Sequence, residues 1–346
     1  MHNCANDILA FHNDKVTLIQ SQRTAMRDRR NANRDRLKTR LKANEKPIPE
    51  KFIKQGSYAM LTMVQDPKND YDIDDGVYYP QVSLRDEDGN DMAPVDVRQM
   101  VCDALQDGRF NKQPEVKKTC VRIFYNEGYH VDMPIYRTRE SDGEYELACG
   151  DEWVVSRAAD VETWFYDTNS LKSPDENNGR QFRRIVRLLK KFARSREDWK
   201  EQIASGFTIT KLAEECYMAN KDREDKSLRD TMRSIYNRLL NDLEVQHPVT
   251  PGAMLTAGPN DKGTQFLRDK LEQALKDLES LDNPNCTRKD ALTAWDKVYD
   301  TDFFSARCKE ETEKASSTTN ASILSNLIAT HKDPQAVDKR GGGRFA

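Results

Sequence analysis

Apolar residues recur at helical spacing in three stretches of the second half of the chain. Phe182, Ile185, Val186, Leu189 and Phe192 share one face, with Arg183, Arg184, Arg187, Lys190 and Arg194 on the other. Leu228, Met232, Ile235, Tyr236, Leu239 and Leu243 form a second stripe, and Leu267, Leu271, Leu275, Leu278 and Leu281 a third. A helical lobe is therefore predicted after about Trp153. Upstream the period shortens. Residues 70–79, 119–125 and 129–136 are β-branched or aromatic runs broken by Asp-Gly and Glu-Gly turns, which predicts the strands of a sheet. Between them Val95, Val97, Val101 and Leu105 predict a short helix over residues 94–105. Residues 15–54 are crowded with arginine and lysine and hold no glycine or proline before Pro47, which predicts one long helix with a thin apolar stripe. From Ser316 onward, small polar residues and the run Gly341-Gly342-Gly343 predict a tail that cannot bury enough surface to order itself.

The organisation expected is an N-terminal bracing helix (1–50), a mixed sheet with flanking helices (51–155), a helical lobe (156–312) and a tail (313–346), an α+β class. The 346 residues are long enough for a large core or two packed lobes, and 33% of them are charged against 37% hydrophobic, so a soluble protein is expected. No run reaches the ~18 apolar residues of a membrane span, and no secretory signal opens the chain, so a cytoplasmic location is expected. Seven cysteines without Cys-x-x-Cys spacing and five scattered histidines exclude a signalled zinc site or disulfide framework. A formal net charge of −3 argues against a protein that coats nucleic acid. The basic helix reads as a solvated or salt-bridged face, so nucleic acid is not an expected partner.

The acidic strand changes the picture. In an extended chain Asp70, Asp72 and Asp74 point to one face while Tyr71 and Ile73 point to the core. In the run His130-Val131-Asp132-Met133, Val131 and Met133 face the core and Asp132 faces away. Carboxylates this close repel unless a cation neutralises them, and hard divalent cations such as Mg²⁺ choose oxygen ligands. Two metals roughly 4 Å apart form a clamp for displacement at phosphorus. The turn Gln55-Gly56-Ser57 supplies a place where a backbone and a hydroxyl can approach a phosphate. Phosphoryl or nucleotidyl transfer follows. His130 and Asp75 read as structural.

The order Gly-Ser, Asp-x-Asp, then a third Asp resembles the DNA-polymerase-β-like nucleotidyltransferases. Within them, Gln55-Gly56-Ser57, Asp72-Ile73-Asp74-Asp75-Gly76 with Tyr78, Lys118-Thr119-Cys120 with Arg122-Ile123, and His130-Val131-Asp132-Met133-Pro134-Ile135-Tyr136 resemble the bacterial cyclic GMP-AMP synthase branch of the cGAS/DncV-like cyclases. The similarity extends through Arg187 and Lys190 to Thr208, and to Ala294-Trp295-Asp296-Lys297-Val298-Tyr299. It departs at Asp300, where relatives often have glycine. No zinc-binding insert is present, so activation by duplex DNA is not implied.

The resemblance implies a polymerase-β-like core with Asp72, Asp74 and Asp132 as catalytic metal ligands for Mg²⁺ or Mn²⁺. It selects Asp72 and Asp74, where alternation alone leaves the register open to Asp70 and Asp72. It implies that Gln55, Gly56 and Ser57 hold the donor triphosphate, that Lys190 and Thr208 contact phosphates, and that Arg122 lines the nucleotide pocket. The implied reaction joins two nucleoside triphosphates, ATP and GTP in the first instance, into a cyclic dinucleotide with release of pyrophosphate. Such a product would act on a separate effector in anti-phage defence. The terminus Gly342-Gly343-Arg344-Phe345-Ala346 resembles those of cyclases encoded beside ubiquitin-transferase-like proteins, which implies conjugation through Ala346. The alternatives are an RNA- or tRNA-modifying or polymerising nucleotidyltransferase and, in a different class, an inactive nucleotide-binding scaffold.

Overall fold

The computed structural model describes residues 1–68 and 71–311; the tail, Ala346 and Asp70 lie outside the described residues. The chain opens with α1 (Ala5–Phe11), a π-helical turn (His12–Val16), and α2 (Gln20–Ala43). The single helix expected over residues 15–54 is thus interrupted before Gln20, and it ends at Ala43, residues 51–54 belonging to a strand. The reason is local: Val16 and Leu18 are both buried, an alternation of period two, and Thr17 between them pairs with Val64 as a β-bridge. The thin stripe of α2 is Met26, Leu37 and Leu41, each buried. Several of its arginines reach the sheet lobe, while Arg27 stays exposed beside Asp28. Arg34 is paired with the fully buried Asp75, Arg36 with Asp107, and Arg29 lies 4.8 Å over the Tyr125 ring.

The sheet lobe is built on eight strands, β1 (Lys51–Gln55), β2 (Asp72–Pro80), β3 (Glu115–Val116), β4 (Val121–Phe124), β5 (His130–Met133), β6 (Ile135–Thr138), β7 (Tyr145–Cys149) and β8 (Glu152–Val155). Short α3 (Gly56–Ala59) follows β1, and α4 (Pro94–Leu105) crosses between β2 and β3. Strand β2 is the hub. It runs antiparallel to β1 and parallel to both β5 and β6, two lengths of one run divided at Pro134, which has no N–H to donate. The helix α4 starts with proline at its first position and buries Val97, Val101 and Leu105 as expected, but Val95 is 42% exposed. Sequence patterning missed β1, β3, β7 and β8, each five residues or fewer.

The helical lobe comprises α5 (Asp160–Lys172), α6 (Gln181–Ala193), α7 (Gly206–Cys216), α8 (Glu224–Asn241), α9 (Lys262–Asp277) and α10 (Arg288–Tyr299). Capping places several starts: the Ser205 and Asp261 side chains accept the N–H groups of Thr208 and Thr264, and Thr287 with Asp290 forms a reciprocal capping box. The expected stripes are buried, with Leu228, Met232, Ile235 and Leu239 on α8 and Leu267, Leu271 and Leu275 on α9. Helix α6 differs from an ordinary amphipathic helix, because its basic face is buried too. Arg184 is tied to Asp175 and Glu224 (2.7 and 2.8 Å), Arg187 donates to the Leu61 carbonyl (2.8 Å), and Arg183 lies 4.8 Å over Tyr166. Arg183 and Arg184 thus find partners within the helical lobe, whereas Arg187, Lys190 and Lys191 reach the segment 61–65 that leads from α3 to β2. Asp300, at the end of α10, holds a left-handed φ of 51°, the conformation that favours glycine.

Candidate functional site

Register across the sheet assembles the acidic residues. Gln55 lies opposite Asp74, Asp74 opposite Asp132, and Asp132 opposite Arg122, so four strands place one residue each in a single transverse row. The alternation is enforced from below, where Ile73, Val131 and Met133 are fully buried in the core. A second row lies four residues further along β2. There Tyr78 and Tyr136 are stacked at 4.5 Å, and their hydroxyls bond the two ends of the Gln55 amide, at 2.7 and 3.1 Å. The Gln55 side chain is thereby committed to the scaffold, leaving its backbone toward the cleft. It fixes the strand that delivers Gly56.

Gly56 has a φ of +61°, and a Cβ placed there would meet the Asp74 Oδ2 at 2.0 Å. Only glycine fits, because any side chain would expel the carboxylate. This close approach brings Ser57 and the turn around it against the acidic row.

The charges are unevenly compensated. Arg122 grips Asp132 through two hydrogen bonds, from Nε at 2.8 Å and Nη2 at 2.7 Å, and the same Nη2 is 3.3 Å from Asp72. Burial, then the neighbouring Asp132 and Asp72, push the Asp74 carboxyl up to about 7, against a smaller opposing pull from Arg122. His130 Nδ1 is 3.4 Å from Asp72. The set of oxygen donors matches a hard divalent cation, and the raised Asp74 marks a site short of positive charge. Even so, among the described residues no three of His, Cys, Asp and Glu converge at ligand distance. Arg122 instead occupies the Asp132 carboxylate and reaches Asp72. These residues fit a cation once the guanidinium swings off Asp132.

The opposite wall comes from the helical lobe. Lys190 on α6 donates to Thr62 Oγ1 at 2.9 Å, and burial, Arg194 and Arg187 push it down to about 7. Gly206 at the start of α7 lies against it, where an added Cβ would make ordinary contact with the Lys190 Cε at 3.4 Å. The cleft between the walls measures about 650 Å³ and is lined by Gln55, Gly56, Ser57, Asp72, Asp74, Asp132 and Lys190. Seven of the expected residues thus meet. Arg122 meets them through its carboxylate partners. Thr208 stands back: it is buried, and its hydroxyl is bonded to that of Ser205 at 2.8 Å inside the helix cap.

Thr62, Arg194, Lys200, Phe207 and His247 also line the cleft and escaped sequence reasoning. For Arg194 a signal existed, since it follows Lys190 by one helical turn. For Phe207 and His247 there was none. They meet only through the packing of α7 against the loop after α8.

Comparison with known proteins bears on the domain and the fold. Residues 50–136 match the family described as cyclic GMP-AMP synthase DncV-like, nucleotidyltransferase domain. The fold is similar to a mutant of the Vibrio cholerae di-nucleotide cyclase DncV, at a TM-score of 0.69 and 16% identity over 86% of this chain and 95% of that one. It is similar to the same enzyme in complex with the linear intermediate 5′ pppA(3′,5′)pG, at a TM-score of 0.68 and 16% identity over 86% of this chain and 96% of that one. E. coli MS115-1 CdnC with ATP is also similar, at a TM-score of 0.63 and 17% identity over 86% of this chain and 98% of that one. The chain thus carries a DncV-like nucleotidyltransferase domain over residues 50–136, which hold its acidic row, and shares the fold of DncV and CdnC along most of its length.

Proposed function

We propose that the chain is a cyclic dinucleotide synthase that joins two nucleoside triphosphates in the cleft, with ATP and GTP as the pair to test first. The observation that carries the reading is the transverse row Asp74, Asp132, Arg122, flanked by Asp72 and reached by Gly56. The cleft volume of about 650 Å³ accommodates more than one nucleotide's reacting parts.

In this reading a ribose hydroxyl of one nucleotide attacks the α-phosphorus of the other. A P–O bond forms, the α–β phosphoanhydride breaks, pyrophosphate leaves, and a second such displacement closes the ring. Asp72, Asp74 and Asp132 would hold the divalent cation, Mg²⁺ or Mn²⁺. A cation bound there lowers the pKa of the attacking hydroxyl and neutralises charge on the leaving group. Gly56 and Ser57 bind the triphosphate from the sheet side, and Lys190 and Arg194 from the helical side. Arg122, released from Asp132, becomes free to pair with a phosphate or base. By resemblance, the product serves as a second messenger for a separate effector in anti-phage defence.

The test is incubation of the protein with pairs of labelled triphosphates and Mg²⁺ or Mn²⁺, followed by nuclease mapping of products. A cyclic dinucleotide is expected from the native chain, and none from Asp72→Asn with Asp74→Asn, at unchanged circular dichroism. Linear polymers or a tailed RNA in place of a ring would favour a polymerising enzyme, and undiminished turnover in the double variant would refute the site.

A further inference from the structure

Two aromatic rings meet in the wall of the cleft. Phe207, the second residue of α7, and His247, in the loop after α8, both line it, with centroids 5.4 Å apart and planes at 74°. Phe207 is braced from behind by Trp164, edge-on at 6.4 Å. The imidazole is pinned from one side only: its Nδ1 accepts the N–H groups of Val249 at 3.3 Å and Thr250 at 3.0 Å. A nitrogen that accepts two N–H groups carries no proton, so the neutral ring bears its hydrogen on Nε2. Burial lowers the pKa of His247 below its ordinary value, which keeps the ring neutral near pH 7. Nε2–H has no partner among the described residues.

An aromatic face beside a lone N–H donor matches a nucleobase, which offers a π-surface for the ring and acceptors along its edge. Adenine and guanine differ on the edge that carries N7. Guanine presents two acceptors there, N7 and O6, whereas adenine presents N7 beside an amino donor. A group that can only donate pairs with the first edge and leaves the amino group of the second facing a donor.

We propose that Phe207 and His247 form a base subsite in which His247 Nε2–H reads the O6 and N7 edge of guanine, making His247 a specificity-determining residue. This rests on the nucleotide-cleft reading above. Binding of GTP, ATP and inosine triphosphate to the full chain is measured by calorimetry with Ca²⁺ present. Inosine triphosphate keeps O6 and N7 but lacks the 2-amino group, so it should bind like GTP and more tightly than ATP. His247→Phe, which keeps a ring and removes the donor, should weaken GTP and inosine triphosphate about 5- to 10-fold and leave ATP nearly unchanged. His247→Gln, which restores an N–H donor, should recover part of that loss. Equal losses for GTP and ATP, no loss, or inosine triphosphate behaving like ATP would each overturn the subsite. Failure of the native chain to bind any of the three overturns the cleft reading itself, and the subsite with it.

Discussion

At the scale of single residues, the site is dominated by groups held in ionisation states or conformations they would not choose. Lys190 in the fold releases its proton near 7, whereas its ordinary value is 10.5. The unfolded chain therefore binds a proton that the folded chain lacks between those values. Stability rises with pH across that window, and the penalty on the buried ammonium is full below its lower edge. Lys190→Met should raise the melting temperature by several degrees at pH 6 and by progressively less toward pH 10, as followed by thermal unfolding at a series of pH values. The same variant should bind triphosphates more weakly, since the ammonium faces the cleft; a stabilised variant that still binds them normally would remove Lys190 from the site. Gly56 is constrained differently. Gly56→Ala brings a methyl to within 2.0 Å of the Asp74 Oδ2 at a φ of +61°, so Asp74 must move. A displacement of this order is expected to lower turnover about 100-fold, and steady-state rates measured beside circular dichroism would separate that from unfolding.

At the scale of elements, what the sequence reveals depends on whether one face or two are buried. The stripes of α8 and α9 were legible because each has one core face, and the alternation of β5 was legible for the same reason. The acidic row was legible as residue types, but its closing by Arg122 depends on the register of β4 against β5, which no local pattern encodes. Helix α6 was harder to read for the opposite reason: its basic face is buried as well, among partners that include Glu224, 40 residues along the chain, and the Leu61 carbonyl, 126 residues away. Arg184, 4% exposed, bridges Asp175 and Glu224. Arg184→Met would leave Glu224 buried without its cation and should destabilise by about 3–5 kcal/mol, read as a lowered urea midpoint. Asp300 is the reverse case, a departure visible in sequence whose meaning lies in a backbone angle. Because the residue sits at a left-handed φ of 51°, Asp300→Gly should stabilise by about 1 kcal/mol without touching the cleft. No gain in melting temperature would mean that the Asp side chain compensates for its own backbone.

At the scale of the molecule, the first residues belong to a different lobe from the helix they lead into. Helix α2 packs on the sheet lobe, but residues 1–16 are built into the helical one. Ile8 and Phe11 are buried there, and Phe11 lies 4.6 Å from Tyr299 and 4.9 Å from Phe304. Asp7 is held by Arg288 at 3.0 Å and Arg307 at 3.3 Å, the Cys4 N–H reaches Asp225 at 2.9 Å, and the His2 N–H reaches the Leu281 carbonyl at 2.8 Å. The chain is thus sewn to the end of the helical lobe, crosses at the β-bridge of Thr17 with Val64, and only then becomes a brace for the sheet. The two cores form separate clusters, one around Trp295, Phe11 and Leu228 and the other around Ile73, Val131 and Leu37. Phe11→Ala empties the centre of an aromatic cluster and should cost about 3–5 kcal/mol. If the clusters open as separate units, hydrogen exchange in that variant should accelerate in α8 and α10 while β2 and β5 keep their protection. Equal acceleration in both would mean that the bridge at Thr17 couples the lobes into one cooperative unit. In that event, motions that open the cleft for nucleotide entry would have to run through the residue 17–19 crossing, since a rigid junction there fixes how far Lys190 can move from Asp74.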